Sequence, residues 1–143
     1  MGMAELTKGG RTLAIENELL ERAKQAREQA YVPYSKFPVG AVFVGEDGEW
    51  YEGCNIENSS YGLSNCAERT AVFSAVRTGM RSGKMAAVIA DTKGPVAPCG
   101  ACRQVLSEFL PKDARIVLGN LQGEMKVTTM EELLPGAFGP EDL

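Results

Sequence analysis

Two short stretches, PCGACRQ at residues 98–104 and NCAER at residues 65–69, decide how this chain of 143 residues is interpreted. They contain three of its four cysteines, and the chain has no histidine. A transition metal bound here would therefore take thiolate ligands, from Cys66, Cys99 and Cys102. Three protein ligands leave a fourth position for water, which is typical of catalytic zinc sites, whereas structural sites are closed by four.

The residues beside these cysteines suit a reaction at a metal. Glu68 lies two residues after Cys66, close enough to handle the protons of a water molecule. Both cysteine stretches open a predicted helix, where free N–H groups and the positive helix end lower the pKa of a thiol. Three thiolates give zinc an excess of negative charge, so a nearby cation should offset it. Arg69 is the first candidate for that cation and Arg103 is a weaker one.

Other interpretations of the cysteines stay open at this point. Cys54 could be the fourth ligand of a closed structural site. Cys99 and Cys102 have the spacing of a redox pair of the thioredoxin type. All four could instead be buried thiols, and Glu68 could be an ordinary exposed carboxylate on a helix.

Composition limits the classes of function. Hydrophobic residues make up 44% of the chain and charged residues 24%, which favours one ordinary globular domain over disorder. The formal net charge is −4. Nucleic-acid polymers are bound through clustered Lys and Arg, so this balance argues against such a partner and favours a small neutral substrate.

The sequence also indicates a compartment. We find no apolar run of the length that a membrane span needs, and residues 1–11 lack the apolar core of a signal peptide. Four cysteines in a reducing compartment favour metal binding or catalysis over disulfides. We therefore expect a cytoplasmic protein that does not contact membranes.

Hydrophobic periodicity predicts helices that alternate with strands, and hence an α/β layered domain with a mixed sheet. Residues 1–12 are expected to form a flexible leader and residues 13–143 a single domain. Ser64 and Asn65 are good N-caps for the second helix. Helices are predicted at 13–30 (ended by Pro33), 66–78, 99–110 and 130–134, and strands at 39–44, 49–55, 86–90, 115–118 and 125–128.

Taken together, CAE at residues 66–68 and PCGAC at residues 98–102 resemble the signature of zinc-dependent nucleoside deaminases. YSKFPVG at residues 34–40 and NIENSSYG at residues 55–62 resemble cytidine deaminases of the small-subunit, homotetrameric kind. The resemblance extends from about residue 15 to Phe138. It implies a three-layer α-β-α domain with a mixed five-stranded sheet, and one zinc per subunit on the three cysteines named above.

The resemblance also implies a reaction, in which cytidine or 2′-deoxycytidine is converted to uridine or 2′-deoxyuridine with release of ammonia, and it implies roles for individual residues. The Glu68 position carries protons between water, ring nitrogen N3 and the leaving ammonia. The Asn55 and Glu57 positions bind ribose hydroxyls, and their alternation at a strand end puts both side chains on one face. The Phe37 position lies against the base. Without the resemblance, Phe37 would be assigned to the core, and the other two to a polar hairpin end.

Further positions complete the implied pocket. The backbone around Ala67 contacts the base edge, and Arg69 lies beside the zinc thiolates. Ser60 belongs to the substrate pocket as well. Tyr61 and Phe138 help to build pockets across subunit boundaries, so a homotetramer with shared pockets is expected.

These features favour a cytidine deaminase of pyrimidine salvage. Two other functions remain: deamination of another small heterocycle such as blasticidin S, or a zinc-stabilised binding module without chemistry. The Asn55 and Glu57 pair matches a protein that binds ribose better than a deaminase of another small heterocycle. A polynucleotide deaminase would need a basic groove, which the net charge of −4 argues against.

Overall fold

The computed structural model describes residues 7–8 and 11–143 of the chain. Strands β1 (Thr7–Lys8) and β2 (Arg11–Thr12) pair antiparallel. The predicted flexible leader falls here, and residues 1–6 and 9–10 of it lie outside the described residues. Its flexibility therefore stays a prediction.

Five further strands form the central sheet, in the order β4-β3-β5-β6-β7. Strands β5 and β6 pair in parallel, and the other neighbours pair antiparallel, so the prediction of a mixed five-stranded sheet is confirmed. The strands are β3 (Val39–Gly45), β4 (Trp50–Cys54), β5 (Gly83–Ala90), β6 (Arg115–Asn120) and β7 (Met125–Thr129). The helices are α1 (Ala14–Arg27), α2 (Ala67–Arg77), α3 (Gly100–Phe109) and α4 (Met130–Leu133), with 3-10 turns at Tyr61–Leu63 and Pro140–Asp142.

Helices cover both faces of this sheet, as expected for three α-β-α layers. Side chains alternate along β3, so that Val42 and Val44 pack in the cluster beneath α1 whereas Ala41 and Phe43 pack with α2 and α3. Burying a side chain of the size of Phe43 contributes about 1.5–3 kcal/mol to folding. The cluster under α1 contains Leu19, Leu20, Ala23, Val42, Val44, Met85, Ala87, Ile89 and Val117.

Two glycines in the sheet allow the helices to approach closely. A Cβ atom on Gly40 would lie 1.8 Å from the carbonyl oxygen of Ala23 in α1. One on Gly53 would lie 2.4 Å from the carbonyl oxygen of Ala67, the first residue of α2. A side chain at either position would displace a helix. The start of α2 therefore rests directly on β4, which positions the residues beside it.

The predicted end of α1 and the predicted start of β5 are wrong, each for a physical reason. Helix α1 ends at Arg27, well before Pro33, because the chain turns there and Tyr31 pairs with the β4 side, its N–H donating to Asn55 O at 3.0 Å. Strand β5 begins at Gly83 instead of residue 86, because Met85 joins the core beneath α1. Within the described residues, no helix combines the length and the apolar character needed to cross a bilayer.

The N-cap of α2 is Cys66, not Ser64 or Asn65. Asn65 is held in a backbone bridge with Ile56, with N–H···O distances of 2.9 Å in both directions. Its side-chain amide donates to Thr70 Oγ1 at 3.1 Å. The Cys66 side chain makes no capping hydrogen bond to the helix. Long-range pairing thus moves the helix start to the cysteine and leaves its thiol available for other contacts.

Candidate active site

The three predicted cysteines converge at the starts of two helices. Cys66 precedes α2, Cys99 precedes α3, and Cys102 lies in the first turn of α3. The Sγ atoms of Cys66 and Cys99 are 3.9 Å apart and those of Cys99 and Cys102 are 3.4 Å apart. All three lie within 4.8 Å of one another. Tetrahedral zinc with bonds of about 2.3 Å holds its sulfurs roughly 3.8 Å apart, so this donor set fits zinc.

The electrostatics of these thiols also fit a cation. Hydrogen bonding from the Cys102 thiol, with help from Arg69, lowers the pKa of Cys66 to about 5 against the opposing effect of burial. The same hydrogen bond and burial raise the pKa of Cys102. One thiolate therefore forms readily, whereas a second one beside it is disfavoured. A divalent cation between them would remove that penalty and allow all three to ionise.

The two arginines near the cysteines have different partners. Arg69 donates from Nη2 to Cys66 Sγ at 3.3 Å, which matches the predicted charge compensation. Arg103 instead donates from Nε to the carbonyl of Pro98 at 2.8 Å and from Nη1 to that of Leu133 at 2.9 Å. Arg69 therefore contacts the sulfur of Cys66, whereas Arg103 holds the backbone that leads into Cys99.

Glu68 is buried in the first turn of α2, with only 5% of its surface exposed. Burial is the main cause of its raised pKa, and the charge of the Cys66 thiolate raises that pKa further. Such a carboxyl group retains a proton at higher pH than an exposed glutamate does. It is therefore suited to accept a proton and to return it, and the alternative of an exposed helix carboxylate is wrong.

The fourth cysteine stands apart from this cluster. Among the described residues, the group that could hold a metal contains Cys66, Cys99 and Cys102 but not Cys54. Burial raises the pKa of the Cys54 thiol, so it ionises less readily than an exposed one. All four cysteines are free thiols. The geometry thus favours an open three-cysteine site over a closed one.

An open cleft of about 300 Å³ lies beside the loop at residues 31–39. The rings of Tyr34 and Tyr61 meet edge to face across it, 5.7 Å between centroids. Phe37 is 40% exposed, so it is not a core residue. The cleft is lined by Tyr34, Ser35, Glu57, Tyr61 and Ser64.

Asn55 and Glu57 both face the loop at residues 31–39. Asn55 Oδ1 accepts from Val39 N–H, and Asn55 Nδ2 donates to Phe37 O, both at 2.9 Å. Glu57 Oε1 accepts from the N–H groups of Tyr34 and Ser35 at 3.0 and 3.1 Å. Both side chains lie on one side of the strand end, as their alternation suggests, and they hold the loop that carries Phe37.

The remaining predicted residues are not all gathered at this cleft. Ala67 is fully buried against β4. Exposed Ser60 donates its N–H to Asn58 Oδ1 at 2.9 Å in the loop that carries Tyr61. Phe138 lies elsewhere: its carbonyl accepts from Gln104 Nε2 at 2.9 Å, and it borders a separate cavity of about 70 Å³ against α3 and α4. Within one chain, Phe138 and the Tyr61 loop border different cavities.

Comparison with known proteins places the chain in a family. Residues 14–119 match the family model described as the cytidine and deoxycytidylate deaminase zinc-binding region. The chain belongs to this cytidine deaminase family. It is 61% identical over 126 residues to the cytidine deaminase of Sporosarcina psychrophila, covering 88% of this chain and 93% of that protein. The cytidine deaminase of Halalkalibacterium halodurans is 58% identical over 125 residues, 87% of this chain and 95% of that protein.

Solved structures agree with this family assignment. The cytidine deaminase of Burkholderia pseudomallei superposes with a TM-score of 0.82 at 54% identity, over 85% of this chain and 97% of that one. The cytidine deaminase of Mycobacterium tuberculosis gives 0.74 at 39% identity, over 86% and 96% of the two chains. The predictions of a cytidine deaminase fold and of zinc as the cofactor are thereby confirmed.

Sequence reasoning missed two residues that shape this cytidine deaminase site. Asn120, only 3% exposed, donates from Nδ2 to the carbonyls of Thr92 and Lys93 at 3.0 and 3.2 Å. It thereby fixes the loop that runs to Cys99, and an Asn at the end of an apolar strand was the available signal. Ser35 contacts both Glu57 and Phe37, and the available signal was its place in the YSKFPVG stretch at residues 34–40.

Proposed function

We propose that cytidine and 2′-deoxycytidine are the substrates of this deaminase, with water as co-substrate and the uridine nucleoside and ammonia as products. The observation that carries the proposal is the convergence of three thiols beside the buried carboxyl group of Glu68, in a chain 61% identical to a cytidine deaminase. Turnover of cytidine by the purified protein, followed by release of ammonia, tests it. A zinc-containing protein that releases none would instead be a binding module.

The residues divide the chemistry between them. Zinc, when bound by Cys66, Cys99 and Cys102, supplies the Lewis acidity that makes a water nucleophilic near neutral pH. Glu68 accepts a proton from the attacking water and gives it to ring nitrogen N3, and then passes the second water proton to the leaving amino group. Arg69 donates to the Cys66 thiolate and limits the excess negative charge at the site.

The sugar is proposed to bind at Asn55 and Glu57. A carboxylate can accept about four hydrogen bonds, and an amide can donate two and accept two. The contacts to the loop at residues 31–39 leave each side chain capacity for a ribose hydroxyl. Phe37, exposed on the same loop, supplies an aromatic face for the base. The backbone at Ala67 contacts the edge of the base.

Substrate choice follows from this arrangement. We expect free cytosine to show a kcat/KM at least about tenfold below that of cytidine, because hydrogen bonds to the sugar contribute roughly 1 kcal/mol each. CMP should also react poorly, because Glu57 is anionic and its pKa is lowered by Ser35, so it stays ionised. The rates of deamination of cytosine, cytidine, deoxycytidine and CMP are compared by following the loss of absorbance. Preferred turnover of CMP or of single-stranded DNA would contradict the assignment.

Assembly as a homotetramer with shared pockets is proposed on the exposure of apolar side chains in the turn that borders the cleft and in the tail. Tyr61 and Leu63 are 73% and 72% exposed, and Phe138 is 58% exposed beside a different cavity. A neighbouring subunit that brings Phe138 to this cleft would exclude water from a bound nucleoside. Ser60, which precedes the Tyr61 turn, would lie at the same boundary between subunits.

We expect Phe138→Ala to raise KM severalfold while zinc stays bound, because substrate packing is lost but the thiols are untouched. Leu143→Ala, at the fully exposed end of the same tail, is the control and should change nothing. Activity per chain should fall on dilution as the tetramer dissociates, measured by sedimentation and assay in one dilution series. A fully active monomer would show that each pocket is self-contained.

The cytoplasm is the proposed compartment, with pyrimidine salvage as the role. Four free thiols, three of them proposed as metal ligands, suit a reducing environment in which thiolates persist. A nucleoside is the form in which salvage enzymes receive the pyrimidine, which matches the proposed substrate.

A further inference from the structure

The hydroxyl of Ser35 joins two residues of the proposed nucleoside site. It donates to Glu57 Oε2, and it accepts from Phe37 N–H at 3.1 Å. The Ser35 N–H donates to the other carboxylate oxygen of Glu57 at 3.1 Å. One residue therefore contacts the proposed ribose ligand and the backbone of the proposed base platform, which lie 20 positions apart in the sequence.

The contacts from the loop that carries Ser35 leave the Glu57 carboxylate one acceptor position for a ligand. Three donors from the loop occupy its carboxylate: the N–H groups of Tyr34 and Ser35, and the Ser35 hydroxyl. A carboxylate offers about four acceptor positions, so one remains. The direction of that position is set by where Ser35 holds Oε2. The same hydrogen bond is the main cause of the lowered pKa of Glu57, which keeps the carboxylate ionised.

The backbone after Ser35 needs this support. Lys36 has a φ of 58°, in the left-handed region that residues with a side chain rarely adopt. The turn is held by Lys36 N–H donating to Val32 O at 3.0 Å and by the Phe37 N–H donating to the Ser35 hydroxyl. Loss of the hydroxyl would free Phe37 N–H and relax the kink that presents the aromatic ring.

We propose that Ser35 is a positioning residue for nucleoside binding, which fixes the Glu57 carboxylate against the sugar and keeps Phe37 presented to the base. The inference rests on the proposed nucleoside substrate. Ser35 contacts two of the residues proposed to bind substrate, and its own effect is exerted through them. It is therefore expected to change binding of the nucleoside more than the chemical step.

The test compares the steady-state kinetics of five variants with cytidine: Ser35→Ala, Ser35→Thr, Glu57→Ala, the double variant with both alanines, and a control. Ser35→Ala is expected to raise KM about three- to tenfold, the size of one ordinary net hydrogen bond, with kcat changed less than about twofold. Ser35→Thr keeps a hydroxyl and should restore KM to within about twofold of the original value. In a Glu57→Ala background, the further change Ser35→Ala should raise KM by a smaller factor than it does in the unchanged protein, because one of the two partners of Ser35 is already absent. Ser74→Ala, which removes an exposed hydroxyl bonded to its own helix, is the control.

The outcomes separate this inference from the proposed function. Failure of the unchanged protein to deaminate cytidine would refute the proposed function. If cytidine is deaminated but Ser35→Ala leaves KM unchanged, or raises it equally in the Glu57→Ala background, the positioning role is refuted. Zinc content and melting temperature are measured for each variant. If Ser35→Ala fails to fold, a Ser35→Thr variant with an unchanged KM supports the role, and one that raises KM as much as the loss of Glu57 opposes it.

Discussion

Glu68→Gln is expected to bind zinc normally and to lose well over ~10²-fold in kcat, the contribution typical of a single acid–base group. The amide matches the carboxylate in size but cannot accept the proton of the attacking water. Because Glu68 would serve at the water, at N3 and at the leaving amine, the loss should exceed the single-step value. Zinc content by elemental analysis and kcat with cytidine are the measurements.

A matched control and a pH profile sharpen this test. Glu108→Gln replaces an exposed carboxylate on α3 and should leave kcat unchanged. Burial raises the pKa of Glu68, and the ionised form is the one that accepts the proton. Activity of the unchanged protein should therefore fall, as pH decreases, at a value above the ~4.3 of an ordinary glutamate. A Glu68→Gln variant with full zinc and near-normal turnover would remove Glu68 from the mechanism.

Replacing any one of the three clustered cysteines is expected to abolish both zinc binding and activity. Cys66→Ala, Cys99→Ala and Cys102→Ala should each reduce the metal from about one zinc per chain to a small fraction, because two thiolates no longer hold the ion in an open site. The cluster geometry, with all three sulfurs within 4.8 Å, is the basis for this expectation.

Cys54→Ala is the matched control for these three variants. Its thiol lies outside the cluster, so zinc and turnover should be retained. Elemental analysis and activity of the four purified variants, measured in parallel, give the answer. Loss of zinc from Cys54→Ala, with retention in any one of the other three, would overturn the argument for an open site.

The sheet and the helices could be predicted because their signals are local. The short apolar run of β3 and the helical spacing of Leu19, Leu20 and Ala23 are properties of neighbouring positions. The boundaries were less accurate where distant partners compete. Helix α1 ends early because Tyr31 pairs with the β4 side, and α2 starts at Cys66 because Asn65 pairs with Ile56.

The sequence by itself determined which groups are available for the chemistry of the centre. With no histidine, the candidate soft metal ligands are the four cysteines, and the spacing Cys99-x-x-Cys102 at a helix start brings two of them to one side. A glutamate two residues after Cys66 follows from the same local pattern. Such statements need no knowledge of the fold, because each depends on residues within one turn of a helix.

Only the tertiary structure decided which groups meet across the chain. It showed that Arg69 and not Arg103 faces a thiolate, that Cys54 lies outside the cluster, and that Ser35 contacts Glu57 from 22 positions away. The physical reason is that hydrogen bonds and desolvation act over a few ångströms in space. Their partners are selected by how the helices pack on the sheet, at contacts such as that of Gly53 with α2, and no local pattern records that packing.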